Sequence, residues 1–222
     1  MDIHKPKPWH GWREFLKEYA IIVVGVLTAL AAEQGVEWLH WRHEVAEAHA
    51  NLKPELQQNA RSLRYSSLEN ACLLSRLSEY AAWSKGGPKP AFIRLATFGP
   101  VGDSVWQVVK AGQVAAHLPL EERVAYSRLY DANANTMFVL AEVRKAAGQL
   151  YRYEDDTRLS PAATERLSGD VAEMRALLAI HQGNIANLLR QTTALSGQPG
   201  PMADWAKARL AKTCGDAKPS AG

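Results

Sequence analysis

Signatures of chemistry are what this sequence most plainly lacks. No nucleophile elbow, Walker loop, H-E-x-x-H or C-x-x-C motif occurs in its 222 residues. Serine, histidine and aspartate occur without the spacing of a nucleophile, a base and an orienting acid, so the chain reads as no enzyme and as needing no cofactor. Charge of one sign is also scarce: 26 basic and 23 acidic residues leave a formal charge of +3, dispersed along the chain. A phosphate backbone selects a concentrated basic face, which excludes nucleic acid as an expected partner. β-Branched runs are few outside residues 21–26. Alanine, leucine, glutamate and arginine dominate instead, and they lose little side-chain entropy in helices, so the expected fold class is all-α. With only two cysteines, Cys72 and Cys214, no disulfide scaffold carries the fold. They can form one bridge in an oxidising compartment, closing a loop worth on the order of 4 to 5 kcal/mol, or they are two unrelated buried thiols.

What is present is one short apolar run without charge. Ala20 to Ala32 (AIIVVGVLTALAA) carries no charge, and Trp9, Trp12 and Tyr19 flank it on one side with Trp38 and Trp41 on the other. Amphipathic rings at both ends of an apolar run match the headgroup belts of a membrane helix. The run spans about 20 Å against a hydrocarbon core of roughly 30 Å, so Phe15, Leu16, Val36 and Leu39 must extend it. Glu33 then lies near the interface and Lys17 snorkels at the other end. A cleaved signal peptide is the alternative, since Ala29-Leu30-Ala31 offers a small-x-small site. The long n-region of mixed charge and the helical pattern running on past Trp41 favour a retained anchor. Lys5, Lys7, Arg13 and Lys17 precede the run, whereas only Arg42 and Lys53 follow closely. The positive-inside rule reads this as an N-terminus in the cytoplasm and a C-terminal domain in the periplasm, on a single pass of a bacterial inner membrane.

Beyond the anchor the organisation is helical. Residues 1–19 read as a short cytoplasmic segment, 20–41 as the transmembrane helix and its interface, 42–214 as a periplasmic helical bundle and 215–222 as a disordered tail. Val45, Leu52, Leu56, Ala60, Leu63, Ala71, Leu74, Leu77 and Ala81 recur at helical spacing, so the anchor continues into a long amphipathic helix, kinked at Pro54. The glycine- and proline-rich stretch Lys85 to Asp103 ends it. Asp103 or Ser104 caps a short helix carrying Trp106 and closed by Gly112. Pro119 opens another, with Tyr126, Tyr130, Met137, Leu140 and Leu150 near one face. Ser160-Pro161 starts the clearest periodic segment, where Leu167, Val171, Met174, Leu178, His181, Ile185, Leu188, Thr192 and Leu195 follow 4-3 spacing. A last helix follows Gly200-Pro201, with Trp205 and Leu210 expected to face inward. An antiparallel helical bundle is the implied architecture.

The segment WREFLKEYAIIVVGVLTALAAEQ (Trp12 to Gln34), its WRHEV continuation (Trp41 to Val45), and the region from Trp106 through Gly112 and Leu118-Pro119 to Tyr126 and Tyr130 resemble a large, uncharacterised family of bacterial single-pass membrane proteins carrying a domain of unknown function. The resemblance covers about the first two thirds of the chain. It implies an N-terminal anchor with an outward helical domain and brings no catalytic residues.

Three constellations remain as candidates. Glu37 and His40 have E-x-x-H spacing, with His43, Glu44, Glu47 and His49 close behind. Carboxylate-bridged metal bundles draw inward ligands from four helices, whereas these residues crowd one, so the expectation is no metal. Trp106, Tyr126 and Tyr130 either floor a small-molecule pocket between helices or form ordinary aromatic core. Gly25, Ala29 and Ala32 make a small-residue face on the anchor that lets a second helix approach, unless lipid covers it. The functional expectation is a membrane-anchored helical interaction or accessory protein whose partners are the lipid bilayer and another membrane protein or a second copy of itself. The alternative is a periplasmic small-molecule-binding or sensor bundle.

Overall fold

The computed structural model describes residues 11–91 and 101–214. Lys5, Lys7 and Trp9 of the N-terminal flank, residues 92–100 of the glycine- and proline-rich connection, and the tail from Gly215 lie outside the described residues. Within them every regular element is helical: α1 (Trp12–Trp83), α2 (Ser104–Ala111), α3 (Val114–His117), α4 (Leu120–Leu150), a single 3-10 turn over Tyr151–Tyr153, α5 (Pro161–Ser196) and α6 (Asp204–Cys214). The fold is all-α, with a long N-terminal helix and packed helices after it. Two compact units divide the chain, Met1–Glu47 and Ala48–Gly222.

The second unit is built on three long helices: residues 48–83 of α1, α4 and α5. Pairings across them fix their directions. His49 Nε2 lies 2.6 Å from Glu122 Oε1, and the Tyr130 hydroxyl donates to Glu55 Oε1 at 2.6 Å, so the two numberings climb together and α1 and α4 are parallel. Gln57 donates to the Ser196 carbonyl at 3.4 Å and Asn70 to the Leu178 carbonyl at 3.0 Å, so α5 is antiparallel to α1. Two parallel neighbours require the connecting chain to travel back along the bundle. Arg76 donates to the Ala91 carbonyl near the lower end, while Gly102 is already beside Asn59 higher up. The Gly86-Gly87 pair starts this return. Gly86 adopts φ 90°, open to glycine without strain, and the Gly87 N–H closes on the Ala82 carbonyl at 2.9 Å, where a Cβ would stand 2.8 Å from that oxygen.

The α5 stripe lies where its spacing requires: Leu167, Val171, Met174, Leu178, His181, Ile185, Leu188 and Thr192 are all buried, while Leu195 is half-buried and Ser196 takes the next core position. Ser160 Oγ accepts from the Ala163 N–H at 3.2 Å, with Pro161 at the first helical position. In α1 the apolar pattern misleads by one residue below Leu63. Ala71 is exposed and Leu74 half-buried, and the true seam is Leu52, Leu56, Asn59, Leu63, Ser66, Asn70, Leu73, Leu77 and Tyr80. Its 4-3 alternation is unbroken, but three of its positions are polar. The helix continues through Pro54 at the loss of one backbone N–H. In α6 the expected orientation is rotated: Ala206 is buried, Leu210 is half-buried, and Trp205 is 62% exposed with its ring 6.0 Å from that of Tyr65.

Asp103 stands at the start of α2, yet its side chain makes no capping bond and instead accepts from Gln107 Nε2 at 3.0 Å. The cap is supplied from elsewhere. Glu55 Oε2 accepts from the Val105 N–H at 2.8 Å, and the Asn59 amide pairs with both the N–H and the C=O of Gly102, at 2.8 and 2.7 Å. Two polar side chains of α1 thus hold the end of the return connection.

Candidate functional site

The first unit presents an apolar helical surface. Ile21 is 71% exposed, Ile22 65% and Val36 68%, and none of the most apolar eighteen-residue window of α1 is buried. Helical length and composition make this the one candidate membrane span among the described residues. Thr28 is the sole polar residue between Ala20 and Ala32, and its hydroxyl donates to the Val24 carbonyl at 2.7 Å. That back-bond satisfies the group without water, as a hydrocarbon environment requires. At one end Trp12 tilts against Phe15 and Phe15 stacks on Tyr19, with ring centroids 5.9 and 6.3 Å apart, and at the other Arg42 lies over the Trp38 ring at 5.2 Å. Gly25, Ala29 and Ala32 are exposed, and nothing lies within 4 Å of a Cβ added at Gly25. Glu37 accepts from Trp41 Nε1 at 3.4 Å. His43, Glu44 and Glu47 bring ligand atoms within 4.8 Å of one another on one turn of helix, two of them exposed. Consecutive donors on one solvated turn are also the usual arrangement of surface charges.

In the second unit the polar residues are inside. Asn70, wholly buried, donates to the Leu178 carbonyl and to Gln182 Oε1, both at 3.0 Å, and its Oδ1 meets His181 Nδ1 at 3.2 Å. Since an amide oxygen only accepts, His181 Nδ1 carries the proton. Gln182 Nε2 passes the network on to Ser67 Oγ at 2.9 Å. Burial, helped by the positive charge of Arg144, pushes the His181 imidazole down to about 4, so it is neutral over the ordinary pH range. The adjacent Glu69 is wholly buried too, and the one hydroxyl that bears on its carboxyl is that of the buried Tyr65 beside it. Burial pushes the Glu69 carboxyl up to about 7, against the opposing pull of Arg209, Tyr65 and Arg144. Cys72 and Cys214 are joined by a disulfide with Cα atoms 5.6 Å apart, tying the end of α6 to α1 one turn below Glu69.

The three aromatic candidates come together. Trp106 stacks on Tyr126 with centroids 5.4 Å apart and on Tyr130 at 5.6 Å, its plane nearly parallel to that of the latter, and all three side chains are buried. Burial first, then its bond to Glu55, raises the Tyr130 hydroxyl well above the usual phenol range and fixes it as a donor. Glu69 and Asn70 escaped the sequence reading. For Asn70 the signal was available, since continuing the 4-3 count from Leu52 through Leu63 lands on Ser66 and Asn70 rather than Ala71; for Glu69 it was not. No family profile, curated protein or solved structure matches this chain.

Proposed function

We propose that the chain is a membrane-anchored helical interaction or accessory protein without catalytic activity, in which residues 20–41 span a bacterial inner membrane, the N-terminus is cytoplasmic and the bundle is periplasmic. One observation carries the reading: the apolar stretch of α1 is exposed all round. Ile21, Ile22, Val24, Val26, Leu27 and Leu30 are each more than half exposed. At roughly 1.5 to 3 kcal/mol per uncovered side chain, leaving the six in water costs about 9 to 18 kcal/mol, as much as a whole domain's stability. Lipid removes that cost. The self-satisfied Thr28 hydroxyl and the aromatic ends of the stretch support the same environment. A disulfide in the bundle accords with an oxidising compartment, and Gly25, Ala29 and Ala32 offer the face for pairing with another membrane helix or a second copy.

The test is made on intact membranes. After a carbonate wash the chain should stay in the pellet with residues 20–32 still attached, and protease added from the periplasmic side should digest the bundle. Crosslinking in the same membranes should then recover a heteromeric or homomeric adduct. Release by carbonate of a chain beginning near Ala32 would sink the anchor, and recovery of monomer alone would sink the accessory role.

A further inference from the structure

Helix α6 lies along the stretch of α1 that carries Glu69. Trp205 sits against Tyr65 and Cys214 is bonded to Cys72, so α6 runs beside α1 from residue 65 to residue 72 and passes over the carboxyl between them, bringing the charge of Arg209 to bear on it. Its own grip is slight. Ala206 is its one fully buried side chain among the described residues, with Leu210 and Cys214 half-buried. A helix of 11 residues is too short to persist undocked in water, so its state depends on what holds it down.

Two things do so. One is the covalent bond at its end. The other is the charge state of Glu69, because an ionised carboxylate under a closed α6 is wholly buried with only the Tyr65 hydroxyl to solvate it, and opening α6 admits water to it. Groups facing Glu69 are Tyr65 on α1, Arg144 on α4 and Arg209 on α6, while His181 of α5 reaches the neighbouring Asn70. The two arginines favour the anion, but burial outweighs them. Lys207 and Asp204 of α6 are spent on each other at 2.9 Å.

We propose that α6 is a lid over Glu69 with two latches, the Cys72–Cys214 bond and a proton on Glu69, and that it opens only when both are absent. The first latch is released by a dithiol reductant. One of its thiolates attacks a chain sulfur, the S–S bond breaks and the other cysteine leaves as a thiolate. The second thiol of the reductant then resolves the mixed disulfide. Two electrons pass to the chain, its two thiolates take up the two protons, and the reductant departs as a disulfide. The second latch is released by loss of the Glu69 proton to solvent.

The full chain in lipid nanodiscs tests this by hydrogen exchange of the amides of residues 204–214 at pH 5 and pH 8, with rates normalised to an unprotected peptide of that sequence. The oxidised wild type should be protected at both. A variant with Cys72→Ser and Cys214→Ser should keep its protection at pH 5 and lose about a hundredfold at pH 8. Adding Glu69→Gln to that variant should restore protection at pH 8. Dithiothreitol-treated wild type should behave as the double serine variant. The proposal is overturned if the serine variant exchanges alike at both pH values, or if Glu69→Gln leaves the pH 8 loss in place. It is equally overturned if the α5 amides of residues 163–192 lose protection together with α6, since the lid would then be no separate element.

Discussion

The two ends of α1 follow opposite rules. Between Trp12 and Trp41 the apolar side chains point outward on every side, and the one polar group of the central run is satisfied by its own backbone. Between Ala48 and Trp83 the helix buries Asn59, Ser66, Glu69 and Asn70 alongside Leu52, Leu56, Leu63, Leu73 and Leu77. A scale of residue hydrophobicity would place these groups the other way round. What differs is who supplies the surroundings. Among the described residues the apolar side chains of the first stretch meet no second helix of their own unit, whereas the second stretch brings carbonyls, amides and an imidazole from α5 to meet its polar atoms. Burial is therefore decided by satisfiable neighbours as much as by polarity, and Glu69, whose burial outweighs the pull of Tyr65 and two arginines, is the point where the second rule is strained.

The largest expected effect comes from forcing the first stretch to obey the second rule. Val24→Arg with Leu27→Arg places two charges at the centre of the apolar run, each opposing insertion by about 3 kcal/mol. Carbonate washing should then move the chain from the membrane pellet to the supernatant. Thermal unfolding of the bundle followed by far-UV circular dichroism should be unchanged, because no side chain of the second unit is touched. A doubly substituted chain that still pellets would mean that lipid is not what covers this surface.

The next effect probes the strain in the second stretch through pH. His181 titrates near 4 when folded against about 6.5 unfolded, so the unfolded state binds more protons between those values and stability rises with pH across that window. Glu69 titrates near 7 when folded against about 4.3 unfolded, so the folded state binds more protons there and stability falls as pH rises through that window. Each contribution is about 3 kcal/mol, and the windows nearly coincide. With the disulfide intact, the urea-unfolding free energy of the wild type should therefore be almost flat from pH 4.5 to 6.5. Glu69→Gln should unmask a rise with pH, and His181→Gln, which keeps a donor for Asn70 Oδ1, should unmask a fall. Parallel profiles in all three proteins would show that neither group is held in its buried charge state.

The same contrast explains what the sequence disclosed. The candidate span was legible because hydropathy is local: thirteen residues without charge between aromatic flanks read the same in isolation as in the fold. The α5 stripe was legible because apolar residues occupy most of its 4-3 positions, so His181 and Thr192 were carried along by their neighbours. In α1 the polar residues sit at the seam itself, and following the apolar ones alone shifted the phase to Ala71 and Leu74. Trp205 and Leu210 were expected to face inward, but α6 is fastened at Cys214, and it is Ala206 that reaches the interface. Glu69 is buried because a helix some 140 residues later lies across it, a long-range fact that no local pattern carries. The pairing of Glu55 with α2 is of the same kind.

That pairing gives the smallest and sharpest test, since it sets a distant polar residue of α1 against a nearby one that looks like the cap. Glu55→Ala removes the acceptor of both the Val105 N–H and the Tyr130 hydroxyl, leaving a buried phenol unpaired, and should cost about 2 kcal/mol in urea unfolding. The near-UV circular dichroism of the Trp106 stack should weaken with it, because Tyr130 is the ring the carboxylate holds in place. Asp103→Ala loses one exposed bond to Gln107 and should stay within about 0.5 kcal/mol. The opposite ranking would mean that α2 is started by its own sequence, and that the polar side chains of the buried half of α1 are passengers in the seam. The expected ranking makes them its fasteners, since the carboxylate that α2 uses is one that only the folded bundle can deliver.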